Sequence, residues 1–189
     1  MTDTTRSRAK ADRREAMLAA AAQLFAERGF ARVSLEDLGA AVGVSGPAFY
    51  RHFAGKQAVL GALLVGVSEE LASGGGSVIA NAADDAAALE RLIAFHVDFA
   101  LANANVIRVQ DRDLDSLAEP DRHHVRALQR TYVELWVDVL GRLQPSTERA
   151  TLRTKAHATF GLINSTPHSG RAGETHAILE RMAAAALGT

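Results

Sequence analysis

Apolar residues recur at three- and four-residue steps along almost the whole chain, and no stretch alternates them residue by residue. That period gathers apolar side chains into one stripe of a helix, so an all-α fold of about nine helices is expected. Met17, Ala20, Ala21, Leu24 and Phe25 form the first stripe, in a helix from about Ala11 to Arg28 that Gly29 closes. Ser34, with Asp37 three residues on, has the capping-box pattern that opens a second helix. Gly43 ends that helix and Ser45 caps a third, in which Pro47 sits in the first turn, where its missing N–H costs nothing. Phe49 and Phe53, four apart, face the core together, and a fourth helix starts near Lys56. Ser73 to Ser77, with three glycines in a row, reads as the clearest loop in the chain. Asp84 or Asp85 then caps a helix carrying Phe95 and Phe99, and a short helix follows Asn103 and Asn105. Pro120 opens a long helix to about Leu143, and Pro145-Ser146 starts another. Thr166 to Gly170 reads as a loop before a last helix from about Glu174 to Leu187.

Several function classes fall away. With 189 residues the chain is one domain, or two small lobes sharing a core. It has no cysteine, which excludes a disulfide scaffold, a thiolate metal site and a cysteine nucleophile. No apolar run approaches the roughly 18 residues of a membrane span, and Met1 to Arg14 has no apolar segment of a signal peptide. A cytoplasmic protein without a membrane partner is expected. No Gly-x-Ser-x-Gly, phosphate-loop or His-Glu-x-x-His pattern occurs, so neither catalysis nor a cofactor is expected. Asp111-x-Asp113-x-Asp115 begins like a calcium loop but has Ser116 for its glycine and Arg122 for its glutamate. Asp121-Arg122-His123-His124 reads as a solvated helix start, so no metal site is expected either.

The informative stretch is Ser34 to Lys56. Two short helices joined by Gly43-Val44-Ser45 have the outline of a helix-turn-helix, whose second helix enters the DNA major groove. From Ser45 to Phe53, one side holds Phe49 and Phe53 for the core, and the other presents Ser45, Gly46, Ala48, Arg51 and His52. Tyr50, His52 and Lys56 are donors suited to phosphate oxygens. Gly29-Phe30, Ser34 through Ser45, and Phe49-Tyr50-Arg51-His52-Phe53-Ala54-Gly55-Lys56 resemble the DNA-binding domain of TetR/AcrR-type transcriptional regulators. The resemblance covers about residues 11 to 65. It implies that Ser34 and the Ser45–His52 helix contact operator DNA, that Tyr50 and His52 touch its backbone, and that Lys56 binds a phosphate. It also implies a ligand-binding and dimerisation lobe in the remaining helices. The opening positions of the reading helix, Gly46, Pro47 and Ala48, carry no side-chain donor or acceptor. Base contact there falls to the backbone, to Ala48 against a thymine methyl, to Ser45 or to Arg51.

The expected organisation is a flexible basic arm (1–10), a helix-turn-helix domain (11–55) and a ligand-binding and dimerisation domain (56–189). Net charge over the chain is −1, yet residues 1–60 hold nine basic and six acidic residues, and the remainder twelve and sixteen. The basic excess sits at the reading end, as phosphate contact requires. In the second lobe Phe95 and Phe99, and Tyr132 and Trp136, are one turn apart. With both pairs inward they line a cavity between helices for an apolar or amphipathic effector, and His96, Gln110, Asn103 and Arg108 supply polar contacts; read otherwise, they are plain core. Ala156, Phe160, Ile163, Ile178 and Met182 are the expected dimer interface, a four-helix bundle built from two copies. The expected function is a ligand-responsive repressor, a homodimer on a palindromic operator in double-stranded DNA. A helical small-molecule-binding protein without operator binding is the alternative.

Overall fold

The structure is a computed structural model describing residues 2–45, 49–165 and 172–188. Among these are eight α-helices and no strand. They are α1 (Thr2–Arg28), α2 (Leu35–Ala41), α3 (Lys56–Ala80), α4 (Asp85–Ala102), α5 (Ala104–Asp113), α6 (Glu119–Leu143), α7 (Arg149–Ile163) and α8 (Ala172–Leu187). The reading helix is described only around its end, where Phe49 and Tyr50 are helical. Its opening residues, and the loop expected from Thr166 to Gly170, lie outside the described residues.

Local chemistry sets the helix ends. Gly29 stops α1 with φ 86° and ψ 145°, a conformation essentially reserved for glycine, and its N–H donates to Phe25 O at 2.8 Å. A 3₁₀ turn, Phe30–Arg32, leads to Ser34. The capping box is closed: Asp37 N–H donates to Ser34 Oγ at 3.0 Å, and Ser34 N–H donates to Asp37 Oδ2 at 2.8 Å. The Ser34 N–H and hydroxyl, both donating to Asp37 Oδ2, with Arg28 nearby, hold the Asp37 carboxyl below its ordinary pKa. At the start of α4 the cap is Asp84, which accepts from Ala87 N–H.

Two departures from the expected pattern matter. The backbone is helical from Thr2, nine residues before the helix expected from the sequence. More consequentially, α3 runs straight through Ser73 to Ser77, the stretch that reads as a loop. A Cβ on Gly74 would come within 2.4 Å of the Phe95 ring, and one on Gly75 within 2.6 Å of the Tyr132 ring. The glycines are therefore a seat for two aromatic rings, while Ser73 and Ser77 return their hydroxyls to carbonyls one turn back. At 25 residues α3 also reaches the length and apolar content of a single membrane crossing. Its apolar side chains are instead buried against neighbouring helices, Val59, Leu60, Leu64 and Val67 among them.

There are two cores. The first gathers α1, α2, Phe49 and Phe53, the first half of α3 and parts of α4 to α6, around Met17, Phe25, Leu38 and Leu60. The second lies among α4, α6, α7 and α8, around Leu92, Trp136, Leu140 and Leu152. α3 packs along both α4 and α6, and α5 packs on α1, so the helix that begins the second lobe also closes the first core.

Candidate functional site

The turn between α2 and the reading helix is built tightly. Gly43 takes φ 66°, where a side chain would be strained, and Val44 N–H donates to Gly39 O at 2.9 Å. Ser45 O accepts from Phe49 N–H at 3.0 Å. Phe49 is wholly buried and Phe53 nearly so, their ring centroids 5.7 Å apart. That anchorage turns Tyr50, 56% exposed, and Arg51 out to solvent. Ser34 and Ser45 are exposed as well. Gly46, Pro47 and Ala48 lie outside the described residues.

His52 is half-buried, and its Nδ1 has no hydrogen-bond partner among the described residues. Together with Arg51 it faces Ala9, Lys10 and Arg13 of α1 across an open groove. The basic run of the first helix thus joins the end of the reading helix in one positively charged surface, a juxtaposition invisible to local sequence pattern. Lys56 points inward: its Nζ donates to Phe30 O at 2.8 Å and Ala31 O at 3.3 Å, and it lies 4.5 Å from the centroid of the Phe30 ring. It ties the start of α3 to the turn after α1, which leaves one of its three donors for another acceptor.

A second tie comes from α5. Arg112 donates to Phe25 O and Ala26 O at the end of α1 and pairs with Asp113 at 2.9 Å. Asp113 in turn accepts from Phe30 N–H at 3.3 Å.

In the second lobe a cavity of about 260 Å³ opens between α3, α4, α6 and α7. Of the eight residues expected there, His96, Gln110 and Tyr132 line it, and Asn103 and Arg108 do not. Phe95 is seated on Gly74, and Phe99 belongs to the first core. Trp136 is wholly buried behind the wall, edge-on to Phe160 at 5.0 Å. Phe160, expected at a dimer interface, lines the cavity instead of facing only outward, 4.9 Å from the His96 ring. Ala156 and Ile163 are fully buried within this one chain. Ile178 and Met182, 43% and 50% exposed, remain open to a partner. Sequence reasoning missed Asn164 and His157, which the turn at the end of α7 and the outer side of that helix bring to the cavity.

Tyr132 Oη and His96 Nδ1 are 3.1 Å apart. Burial lowers the His96 pKa to about 4, against a smaller upward pull from the Asn164 side chain, so the ring is neutral at physiological pH. Burial likewise pushes the Tyr132 hydroxyl upward. His96 Nε2, Asn164 Oδ1 and Trp136 Nε1 are all buried without a hydrogen-bond partner among the described residues. A larger open cleft, about 430 Å³, lies between α4, the end of α6 and α8. Glu90, Glu180 and Arg181 line it, and it holds none of these unpartnered atoms, so the smaller cavity is the stronger binding candidate. No group of three or more metal-ligating side chains occurs among the described residues.

Comparison with known proteins gives a consistent result. Residues 17–63 match the family described as bacterial regulatory proteins, tetR family, and residues 82–168 match the tetracyclin repressor-like C-terminal domain. The HTH-type transcriptional repressor KstR2 of Rhodococcus jostii (strain RHA1) is 28% identical over 132 residues, 69% of this chain and 65% of that protein. Among solved structures, a TetR-family transcriptional regulator from Bordetella parapertussis 12822 has a TM-score of 0.84 at 24% identity, over 93% of this chain and 94% of that one. The ketosteroid transcriptional regulator KstR2 of Mycobacterium tuberculosis has a TM-score of 0.79 at 21% identity, over 93% of both chains. Both solved structures share the fold.

Proposed function

The chain belongs to the tetR family of bacterial regulatory proteins, and on that footing we propose that it is a ligand-responsive, DNA-binding transcriptional repressor. It leaves its operator when a small apolar or amphipathic molecule fills the cavity of the second lobe. Its role is regulatory rather than enzymatic, and it acts in the cytoplasm, where the DNA is.

The observation that carries this reading is the pairing of Phe49 and Phe53, which holds Tyr50 and Arg51 outward beside the basic groove of Lys10, Arg13 and His52. Arg51 and Ser45 reach base edges, Gly46, Pro47 and Ala48 allow close backbone approach, and Tyr50, His52 and Ser34 bind phosphates. Lys56 braces the lobe through Phe30 and Ala31 and offers its remaining donor to a phosphate. Two copies join through α7 and α8, with Ile178 and Met182 at the seam beside the exposed Ala158 and Gly161. Their reading helices then enter successive major grooves of a palindromic operator, about 34–36 Å apart.

Two connections support the coupling. Tyr132 lines the cavity and rests on Gly75 of α3, the helix whose first residue is Lys56. Gln110 lines the cavity two residues before Arg112, which grips the end of α1. A ligand that shifts either helix changes the spacing of the reading helices. A coupling of about 1–3 kcal/mol gives roughly 5–150-fold weaker DNA binding. The test is a footprint of the purified chain on the DNA upstream of its own gene. A protected palindrome that Arg51→Ala abolishes is expected. Equal affinity for upstream and random DNA, or no protection at all, overturns the reading.

A further inference from the structure

We infer that the cavity of the second lobe is built for an uncharged, hydroxyl-bearing apolar molecule, whose hydroxyl closes a gap between His96 and Asn164. The inference rests on the effector-binding reading of that lobe and narrows it to one ligand chemistry.

The polar atoms form an ordered series. With the Tyr132 hydroxyl donating to His96 Nδ1, 3.1 Å away, the imidazole accepts there. A neutral imidazole that accepts at Nδ1 carries its proton on Nε2. Nε2–H is therefore a donor on a side chain only 3% exposed, and it has no partner among the described residues. Asn164, which lines the same cavity, has an acceptor, Oδ1, that is also buried and unpartnered. The Asn164 side chain is close enough to pull the His96 pKa upward as an acceptor does, yet no hydrogen bond of ordinary length satisfies either Nε2 or Oδ1. A buried donor and a buried acceptor left open side by side are costly unless something joins them.

A hydroxyl satisfies both: it accepts from Nε2–H and donates to Oδ1. A ketone satisfies the first and leaves the second. A carboxylate brings a negative charge against Oδ1. Among the described residues lining the cavity, moreover, there is no Lys, Arg, Asp or Glu to balance a charge, and burying an unpaired charge is strongly unfavourable. The remaining wall joins Leu71, Leu128, Val133 and Phe160 with the side chains of Ser68, Gln110, Gln129 and His157. A cavity of about 150 Å³ holds benzene; at about 260 Å³, this one suits a two-ring molecule.

The test is calorimetric titration of the full chain at pH 7.5 with three two-ring probes of similar shape: 2-naphthol, 2-methylnaphthalene and 2-naphthoate. 2-Naphthol should bind at least tenfold more tightly than 2-methylnaphthalene, and 2-naphthoate more weakly than either. Asn164→Leu and His96→Phe should each cut the preference for the alcohol below threefold, with a cooperative melt confirming that each variant folds. Equal affinity for 2-naphthol and 2-methylnaphthalene overturns the inference. So does tighter binding of 2-naphthoate, binding by none of the three at millimolar concentration, or an undiminished preference in both variants. Release of upstream DNA is read separately. If 2-naphthol binds with the stated preference and the DNA stays bound, the site chemistry is upheld and the regulatory coupling fails.

Discussion

His96 is neutral in the folded chain down to about pH 4, whereas in an unfolded chain it takes a proton near its ordinary value of 6.5. Between those values the unfolded state binds the extra proton, so stability is complete above pH 6.5 and is lost as pH falls toward 4. The other ionisable side chains lining its cavity are Tyr132 from α6 and His157 from α7. Lowering pH from 6.5 to 5 should remove about 2 kcal/mol of stability, read as a fall in urea midpoint, and His96→Phe should flatten that slope. Lys56 teaches a second residue-scale lesson. Its place at a helix start reads as a phosphate ligand, yet its ammonium bonds the carbonyls of Phe30 and Ala31, more than twenty residues away. Lys56→Met should therefore cost about 1–2 kcal/mol in a denaturant melt even without DNA. Local pattern exposes what a side chain is able to bind; which partner it meets depends on chain folding back from a distance.

At the scale of elements, the helix stripes, the capping box at Ser34 and the turn at Gly43 were all legible, because each depends on residues within one or two turns. The failure was α3, where Gly74-Gly75-Gly76 has the composition of a loop and the structure of a helix interior. Intrinsic propensity disfavours glycine there by about 1 kcal/mol per residue, and ring packing by Phe95 and Tyr132 outweighs it. Two substitutions separate the contributions. Gly75→Ala drives a methyl into the ring of buried Tyr132 and should destabilise by about 1–3 kcal/mol. Gly61→Ala meets only the carboxylate of Asp121, the free end of a side chain able to swing aside. It should be neutral or stabilising by up to about 1 kcal/mol, since alanine favours helix. Thermal melts of the two variants make the comparison.

For the whole molecule, the near-neutral sum of charges conceals a polar distribution, with the positive excess at the reading end and the negative excess elsewhere. A paired molecule sets two positive ends along one duplex and holds its acidic lobes away from it. Met182→Arg, on the exposed side of α8, should shift sedimentation from dimer to monomer and weaken operator binding at least tenfold, with little change in the melting of each protomer. Ala156 and Ile163 share a stripe with Phe160, and a stripe does not announce whether its cover comes from the same chain or a second one. Of the two aromatic pairs only Tyr132 lines the cavity, and Asn164 was not legible, because a turn after a helix has no periodicity to place it.

Trp136 is the one tryptophan in the chain, sealed from solvent at the back of the cavity with its ring against Phe160. All indole emission from this protein therefore comes from a single enclosed point. A molecule entering the cavity alters the surroundings of that one fluorophore, and no second emitter dilutes the change. The protein carries an intrinsic optical gauge of occupancy, readable without a label in the same cuvette in which DNA release is followed.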